Sequence, residues 1–325
     1  MSINTTAIVK EYGAYYIDGG QNKNRLMRQL LFGRETVKYA RKIKTNDTVY
    51  RLAGSSMTGV VQGFQKAFTP KGELKFEPNP IQLYKLKVDF EIYPDDIEDN
   101  WLGFLADNNL SRKEWPLIRY IMESHLYEQI DNDMERNEYY KGVYKKPTEG
   151  TAGLDGESMN GLRLLLGASN INRLNIGPLD DATIHDQVEA AVESVSEEYQ
   201  GVPILVCMSP KRAKAFLKDK RQLGFYNITG EDKIDNKVDF TKARVIGLPS
   251  MIGTDDLWLT PQNNFLHITK KGENAGKTKV EESKRCVDIM NDWYEGLGFG
   301  FNELVWTTVA EAGGGEPEPD PNTEG

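Results

Sequence analysis

The sequence predicts an α+β fold of elongated shape. Three observations predict it. Residues 49–93 form a two-stranded excursion with little core of its own. Residues 111–141 carry a helical pattern longer than the common globular helix. After residue 200, an apolar strand ends in Ser-Pro and enters a helix, with several short strands beyond.

The chain has 325 residues, 39% of them hydrophobic and 27% charged. That is enough for one large domain or two modest ones at ~100–200 residues each. A mean hydropathy of −0.56 gives much polar surface, which suits an extended shape. The net charge is −9, but the first fifty residues hold nine basic residues (Lys10, Lys23, Arg25, Arg28, Arg34, Lys38, Arg41, Lys42 and Lys44) against four acidic ones. This segment carries +5 and the rest −14. The asymmetry reads as a solvated face, as attraction between unlike ends of neighbouring copies, or as contact with nucleic acid. Two distant cysteines, Cys207 and Cys286, make no disulfide framework and point to a reducing setting. The start of the chain lacks a signal-peptide pattern, and no run approaches the ~18 apolar residues of a membrane span. A soluble protein without a membrane partner is expected.

Residues 1–20, rich in Gly and Tyr, read as an extended arm. Over 24–42, Leu26, Leu30, Leu31, Val37 and Ala40 fall near one face of a helix whose other face is basic. Val49–Leu52 starts a strand before the breakers Ala53-Gly54-Ser55-Ser56. Thr69-Pro70-Lys71-Gly72 is a turn signal. Beyond Pro78-Asn79-Pro80, the alternation of Tyr84, Leu86, Val88, Phe90 and Ile92 against Lys85, Lys87, Asp89 and Glu91 is that of a strand with one polar side. A lone two-stranded ribbon is marginal in water, so this excursion is expected to lie on something else.

Ser111-Arg112-Lys113-Glu114 is a capping box, with Leu110 and Trp115 placed as a staple. Trp115, Ile118, Met122, Leu126, Ile130 and Met134 follow at helical steps, and Gly142 stops the run. At ~1.5 Å per residue this is a rod of roughly 45 Å. Residues 145–180 read as loop, with a short helix within 157–166. Asp180 or Asp181 then caps a helix to about Tyr199, with Ile184, Val188, Val192 and Val195 on one face. Val202–Met208 is a buried strand, and Ser209-Pro210 opens the helix Lys211–Arg221. Ala243–Ile246, Leu257–Leu259 and Phe265–Thr269 are short strands, so 150–280 reads as one compact α/β unit. Arg285–Val309 reads as strands bent at Gly296-Leu297-Gly298-Phe299-Gly300-Phe301. From Ala312 a Pro/Gly/acidic tail cannot bury a core and is expected to be disordered.

Catalytic chemistry finds little to stand on. No HExxH, paired CxxC, P-loop or GxSxG occurs. His125 lies within the long helix, His185 and Asp186 open another, and His267 alternates in a strand. Asp131-Asn132-Asp133-Met134-Glu135 imitates the start of a calcium loop, but Arg136 stands where Gly is needed. These five residues read as a solvated helix face. No catalytic residue, cofactor site or metal site is expected, and the chain reads as a non-enzyme. Residues 21–51 offer charge for nucleic acid but few interleaved aromatics.

The order of elements resembles the major capsid proteins of tailed bacteriophages, with their Hong Kong 97-type fold. Ile204-Leu205-Val206-Cys207-Met208-Ser209-Pro210-Lys211-Arg212-Ala213 looks like that family's apolar strand entering a helix. Arg244-Val245-Ile246-Gly247-Leu248-Pro249 and Leu257-Trp258-Leu259 look like the strands that follow. The resemblance implies an N-terminal arm with a basic helix at 1–48, an extended hairpin loop at 49–93, and a peripheral domain with spine helix at 94–150. An axial α/β domain follows at 151–284, closing strands of the peripheral domain at 285–311, and a tail at 312–325. It implies hexamers and pentamers in an icosahedral shell around DNA, located in the virion and assembled in host cytoplasm. It also implies a portal and, because few residues precede the hairpin, a separate scaffolding protein. Phe64, Phe68, Lys71 and Phe76 become expected contacts between subunits, as do Arg25 and Arg28. Some members cross-link a hairpin Lys to an Asn. Lys66, Lys71 and Lys75 are present, but no Asn or activating Glu aligns, so no cross-link is expected. The alternatives are a bacterial nanocompartment shell of the same fold and a nucleic-acid-binding module using 21–51.

Overall fold

The computed structural model describes residues 5–12, 14, 34–57, 59–72, 74–224, 228–229, 233–271 and 276–311. In chain order, α1 (Thr5–Tyr12) and the single turn α2 (Glu35–Lys38) precede β1 (Arg41–Thr45). The hairpin β2 (Val49–Met57) and β3 (Leu74–Gln82) leads into β4 (Tyr84–Ile92) and α3 (Glu98–Asp107). The long helix α4 spans 117–138, followed by α5 (Leu162–Leu166), β5 (Asn172–Arg173), α6 (Ile184–Glu193) and α7 (Glu197–Gln200). Then come β6 (Ile204–Met208), α8 (Pro210–Leu223), β7 (Ile228–Thr229), β8 (Lys233–Ile234), β9 (Arg244–Gly247) and β10 (Leu257–Pro261). The chain closes with β11 (Phe265–Lys270), β12 (Gly276–Ser283), β13 (Cys286–Phe299) and β14 (Trp306–Thr307). The fold is α+β, as expected.

Two five-stranded sheets organise the molecule. The first is built around β13, which pairs antiparallel with β12, β4 and β11, while β1 runs parallel beside β11. The long helix packs against it through Ile118, Met122, Leu126, Ile130 and Met134, all buried. Burial of each such side chain is worth about 1.5–3 kcal/mol, which explains why the predicted stripe is the face that turns inward. The second sheet has the order β5-β14-β10-β6-β9. Its core joins the fully buried β6 to Ile184, Val188 and Val192 of α6 and Phe216 of α8. Pro210 opens α8 as predicted.

Several expectations are corrected. Residues 5–12 are helical, not an extended arm: Ile8 and Tyr12 are buried, and Thr5 Oγ1 donates to Glu282 on β12 at 2.6 Å. The helix expected over 24–42 keeps only the turn 35–38 among the described residues. Residues 41–45 form β1, where parallel pairing with Leu266–Lys270 overrides helical propensity. The Ser111–Glu114 box does form, with Ser111 Oγ donating to Glu114 at 2.8 Å. It closes an isolated turn, however. Pro116 disfavours helix in the residue before it, so α4 starts at Leu117 and measures about 33 Å at ~1.5 Å per residue. Two π-helical turns, Met122–Leu126 and Met134–Glu138, interrupt it.

β4 leaves the excursion and joins the first sheet through nine pairs with β13, Val287↔Ile92 to Glu295↔Tyr84. The free hairpin is therefore 49–82. The stretch 150–280 is not one unit, because β11 and β12 belong to the first sheet and β14 to the second. The helix expected to reach Tyr199 ends at Glu193, and the bend expected over 296–301 is confined to Gly300, since β13 continues as strand through Phe299.

Candidate assembly surface and its buried root

The hairpin presents apolar side chains to solvent at its apex. Phe64 is 96% exposed, Phe68 95% and Val61 84%, with Val60 half-exposed. The apex nonetheless has internal order: Gln62 Nε2 donates to the Thr69 carbonyl at 2.7 Å, and Lys71 Nζ to the Val61 carbonyl at 2.5 Å. Large apolar side chains left in solvent are candidate contact groups.

The root of the hairpin is fixed. β2 and β3 pair from Val49↔Gln82 to Met57↔Leu74. Asn79 Nδ2 donates to the Phe299 carbonyl at 2.6 Å, and Leu83 N to the Thr48 carbonyl at 2.9 Å. Here the glycines of β13 find their reason. A Cβ at Gly296 would lie 2.4 Å from the Gln82 carbonyl oxygen, and one at Gly298 would lie 2.8 Å from Ile81. Their bare backbone is the bed on which the hairpin root lies.

A buried ionic network sits beside this bed. Arg34 has no side-chain exposure; its Nε donates to Asp131 Oδ1 at 2.8 Å and one terminal nitrogen donates to Glu295 Oε2 at 2.7 Å. The same nitrogen donates to the Tyr139 hydroxyl at 2.5 Å. Glu295 also receives the Tyr139 hydroxyl, the Trp293 indole N–H and a ring nitrogen of His267 at 2.5, 2.9 and 2.8 Å. Burial alone raises a carboxyl's pKa. The Arg34 charge and the hydrogen bonds from His267 and Tyr139 overturn that, holding Glu295 well below the usual carboxylate range. Two residues on, the Thr36 N–H donates to Glu135 at 3.0 Å. Glu138 accepts backbone N–H groups of Gly156, Ser158 and Met159 at 2.9–3.3 Å. Desolvation dominates for Glu135 and Glu138 and pushes both upward.

The second π turn thus turns Glu135 and Glu138 inward, one toward α2 and the other toward the loop before α5. The solvated face expected for 131–135 is corrected accordingly: Asp131 and Glu135 are clamps. Arg34, counted from sequence among the surface basic residues, is the buried hub. No signal in the sequence singled it out from the other basic residues of the segment, because its partners Asp131 and Glu295 lie 97 and 261 residues away. Among the predicted contacts, Phe64, Phe68 and Lys71 lie on the 59–72 apex segment, with Phe64 and Phe68 in solvent. Phe76 stands in β3 opposite Ser55, and Arg25 and Arg28 lie outside the described residues. His125 packs edge-on against Tyr120 at 4.8 Å.

No protein-family model matches the chain, and no characterised protein matches it by sequence. Solved structures do match by fold. The satellite phage P4 procapsid including its size determination protein, Sid, aligns with a TM-score of 0.54 at 12% identity, over 88% of this chain and 89% of that one. The capsid of an empty GTA particle aligns with a TM-score of 0.54 at 13% identity, over 86% and 91%. The capsid of a native GTA particle gives 0.50 at 10% identity, over 87% and 91%. The chain has the Hong Kong 97-type fold of phage capsid proteins.

Proposed function

We propose that this chain is a capsid shell subunit, and more narrowly the major capsid protein of a tailed bacteriophage. Copies form hexamers and pentamers that close into an icosahedral shell around DNA. The observation that carries the reading is the rooted hairpin whose apex holds Val60, Val61, Phe64 and Phe68 in solvent, on a fold shared with capsid proteins over most of both chains. In this reading the hairpin lies across a neighbouring copy, with Phe64, Phe68, Lys71 and Phe76 as contacts. The long helix braces the peripheral part, and the second sheet with α6 and α8 forms the axial part. A separate scaffolding protein and a portal complete the particle, and the shell is assembled in the host and resides in the virion.

The nucleic-acid reading of 21–51 loses support, because Arg34 is itself buried and paired with Asp131 and Glu295. Filter binding at low and moderate salt tests it, since phosphate contacts give strong salt dependence. Negative-stain microscopy of the purified protein, alone and co-expressed with candidate scaffolding protein, tests the shell reading. Capsomers, sheets or closed shells support it.

A further inference from the structure

The first turn of α6 gathers a histidine and carboxylates that the shell role leaves unused. His185 is 3% exposed, and among the described residues neither ring nitrogen has a hydrogen-bond partner. The ring is stacked on Phe216, centroids 5.4 Å apart and planes 13° from parallel, so its orientation is fixed. Its edges face acid. Nδ1 lies 3.6 Å from Asp186 Oδ1, and Nε2 lies 3.9 Å from both Glu189 Oε1 and Asp239 Oδ2. These distances exceed those of hydrogen bonds.

A ring nitrogen of His185 and carboxylate oxygens of Asp186 and Glu189 lie within 4.8 Å of one another. A tetrahedral ion with ligands about 2.1 Å away spaces them about 3.4 Å apart. Small side-chain rotations close the observed arrangement on such an ion. The surrounding charge favours it. Asp219 accepts the His185 backbone N–H at 3.0 Å, adding a fourth carboxylate. Lys220 Nζ bonds Asp239 Oδ1 at 2.8 Å, which neutralises one charge and leaves Oδ2 toward the imidazole. Entry is open, because the Asp186 side chain is 76% exposed while His185 forms the floor. Imidazole with carboxylates selects a borderline transition metal over magnesium or calcium, which prefer all-oxygen sites.

We propose that His185, Asp186 and Glu189, with Asp239 opposite, form a site for a divalent transition metal of the zinc class. The ion fastens the start of α6 to the turn that carries Asp239 and, through Asp219 and Lys220, to α8. This does not depend on the shell reading.

The test is calorimetric titration of the chelator-treated full chain with zinc, cobalt(II) and magnesium chlorides, alongside thermal scans. The proposal expects one zinc per chain, a raised melting temperature, no magnesium effect, and visible cobalt absorption from a mixed nitrogen–oxygen site. His185→Gln and Glu189→Gln each weaken zinc binding by about tenfold or more. Glu189 is part-exposed, so its variant keeps the fold where His185→Gln fails. No saturable zinc binding by the wild type overturns the assignment. So does zinc binding that survives Glu189→Gln unchanged in a folded protein, which would place the ion elsewhere, such as near Glu91, Cys286 and Asp288.

Discussion

The Arg34 guanidinium and the Glu295 carboxylate meet 2.7 Å apart with both side chains fully removed from water. The pair joins the residue ahead of α2 to the centre of the first sheet, and Tyr139 from the end of the long helix bonds to both. Removing one partner leaves a buried charge without compensation, which costs about 3–5 kcal/mol. Arg34→Met and Glu295→Gln are each expected to lose that much unfolding free energy. The double variant is expected to lose less than the sum, because both changes delete the same interactions. Denaturant titration of unassembled protein measures all three.

The pH dependence follows from opposite shifts in neighbouring carboxyls. Glu295 is held below its ordinary value, so its contribution is present above the unfolded pKa of ~4.3 and is lost as pH falls below it. Glu135 and Glu138 are raised, chiefly by burial, so the folded state binds their protons more readily than the unfolded state. They add stability as pH falls through their folded pKa values. Stability is therefore expected to hold or rise on mild acidification from neutral pH and to fall in stronger acid. Melting temperatures from about pH 8 to about pH 3 check this. Glu138→Gln flattens the mildly acidic limb and Glu295→Gln the strongly acidic one.

Phe64 and Phe68 are in solvent within the single chain. Phe64→Ser and Phe68→Ser should therefore change folding stability by no more than about 0.5 kcal/mol. If the apex is a contact between copies, the same changes lower the yield of assembled particles. Thermal scans and sedimentation, run on the same preparations, separate the two effects.

The bed under the hairpin gives a graded prediction. Gly296→Ala drives a methyl against a backbone oxygen, whereas Gly298→Ala meets the Ile81 side chain, which can turn. Overpacking costs about 1–3 kcal/mol, and Gly296→Ala should lie at the upper end. Both should quicken proteolysis of the 59–72 apex, read by limited digestion.

What the sequence made legible was what short-range periodicity controls. The face of α4, the strand and Pro210 entry of β6 and α8, and the alternation of β4 are set by residues a few positions apart. What stayed hidden depends on distant pairing. Arg41 and Lys42 read as the end of a helix because their strand partner β11 is more than 200 residues downstream. Arg34 reads as one more basic residue of its segment because its acids lie on α4 and β13. Nothing in the sequence shows why Gly296 and Gly298 carry no side chain, because only the overlying hairpin root fills that space. The Ser111 box is legible and forms, but Pro116 sets where the long helix begins.

The measurement closest to the central claim is the mass distribution of the purified chain, wild type against a variant lacking residues 64–76, each with and without scaffolding protein. The wild type is expected to form discrete capsomers or closed shells, and the variant a folded monomer with an unchanged melting temperature. A wild type that stays strictly monomeric at high concentration under both conditions, or normal shells from the shortened hairpin, would contradict it.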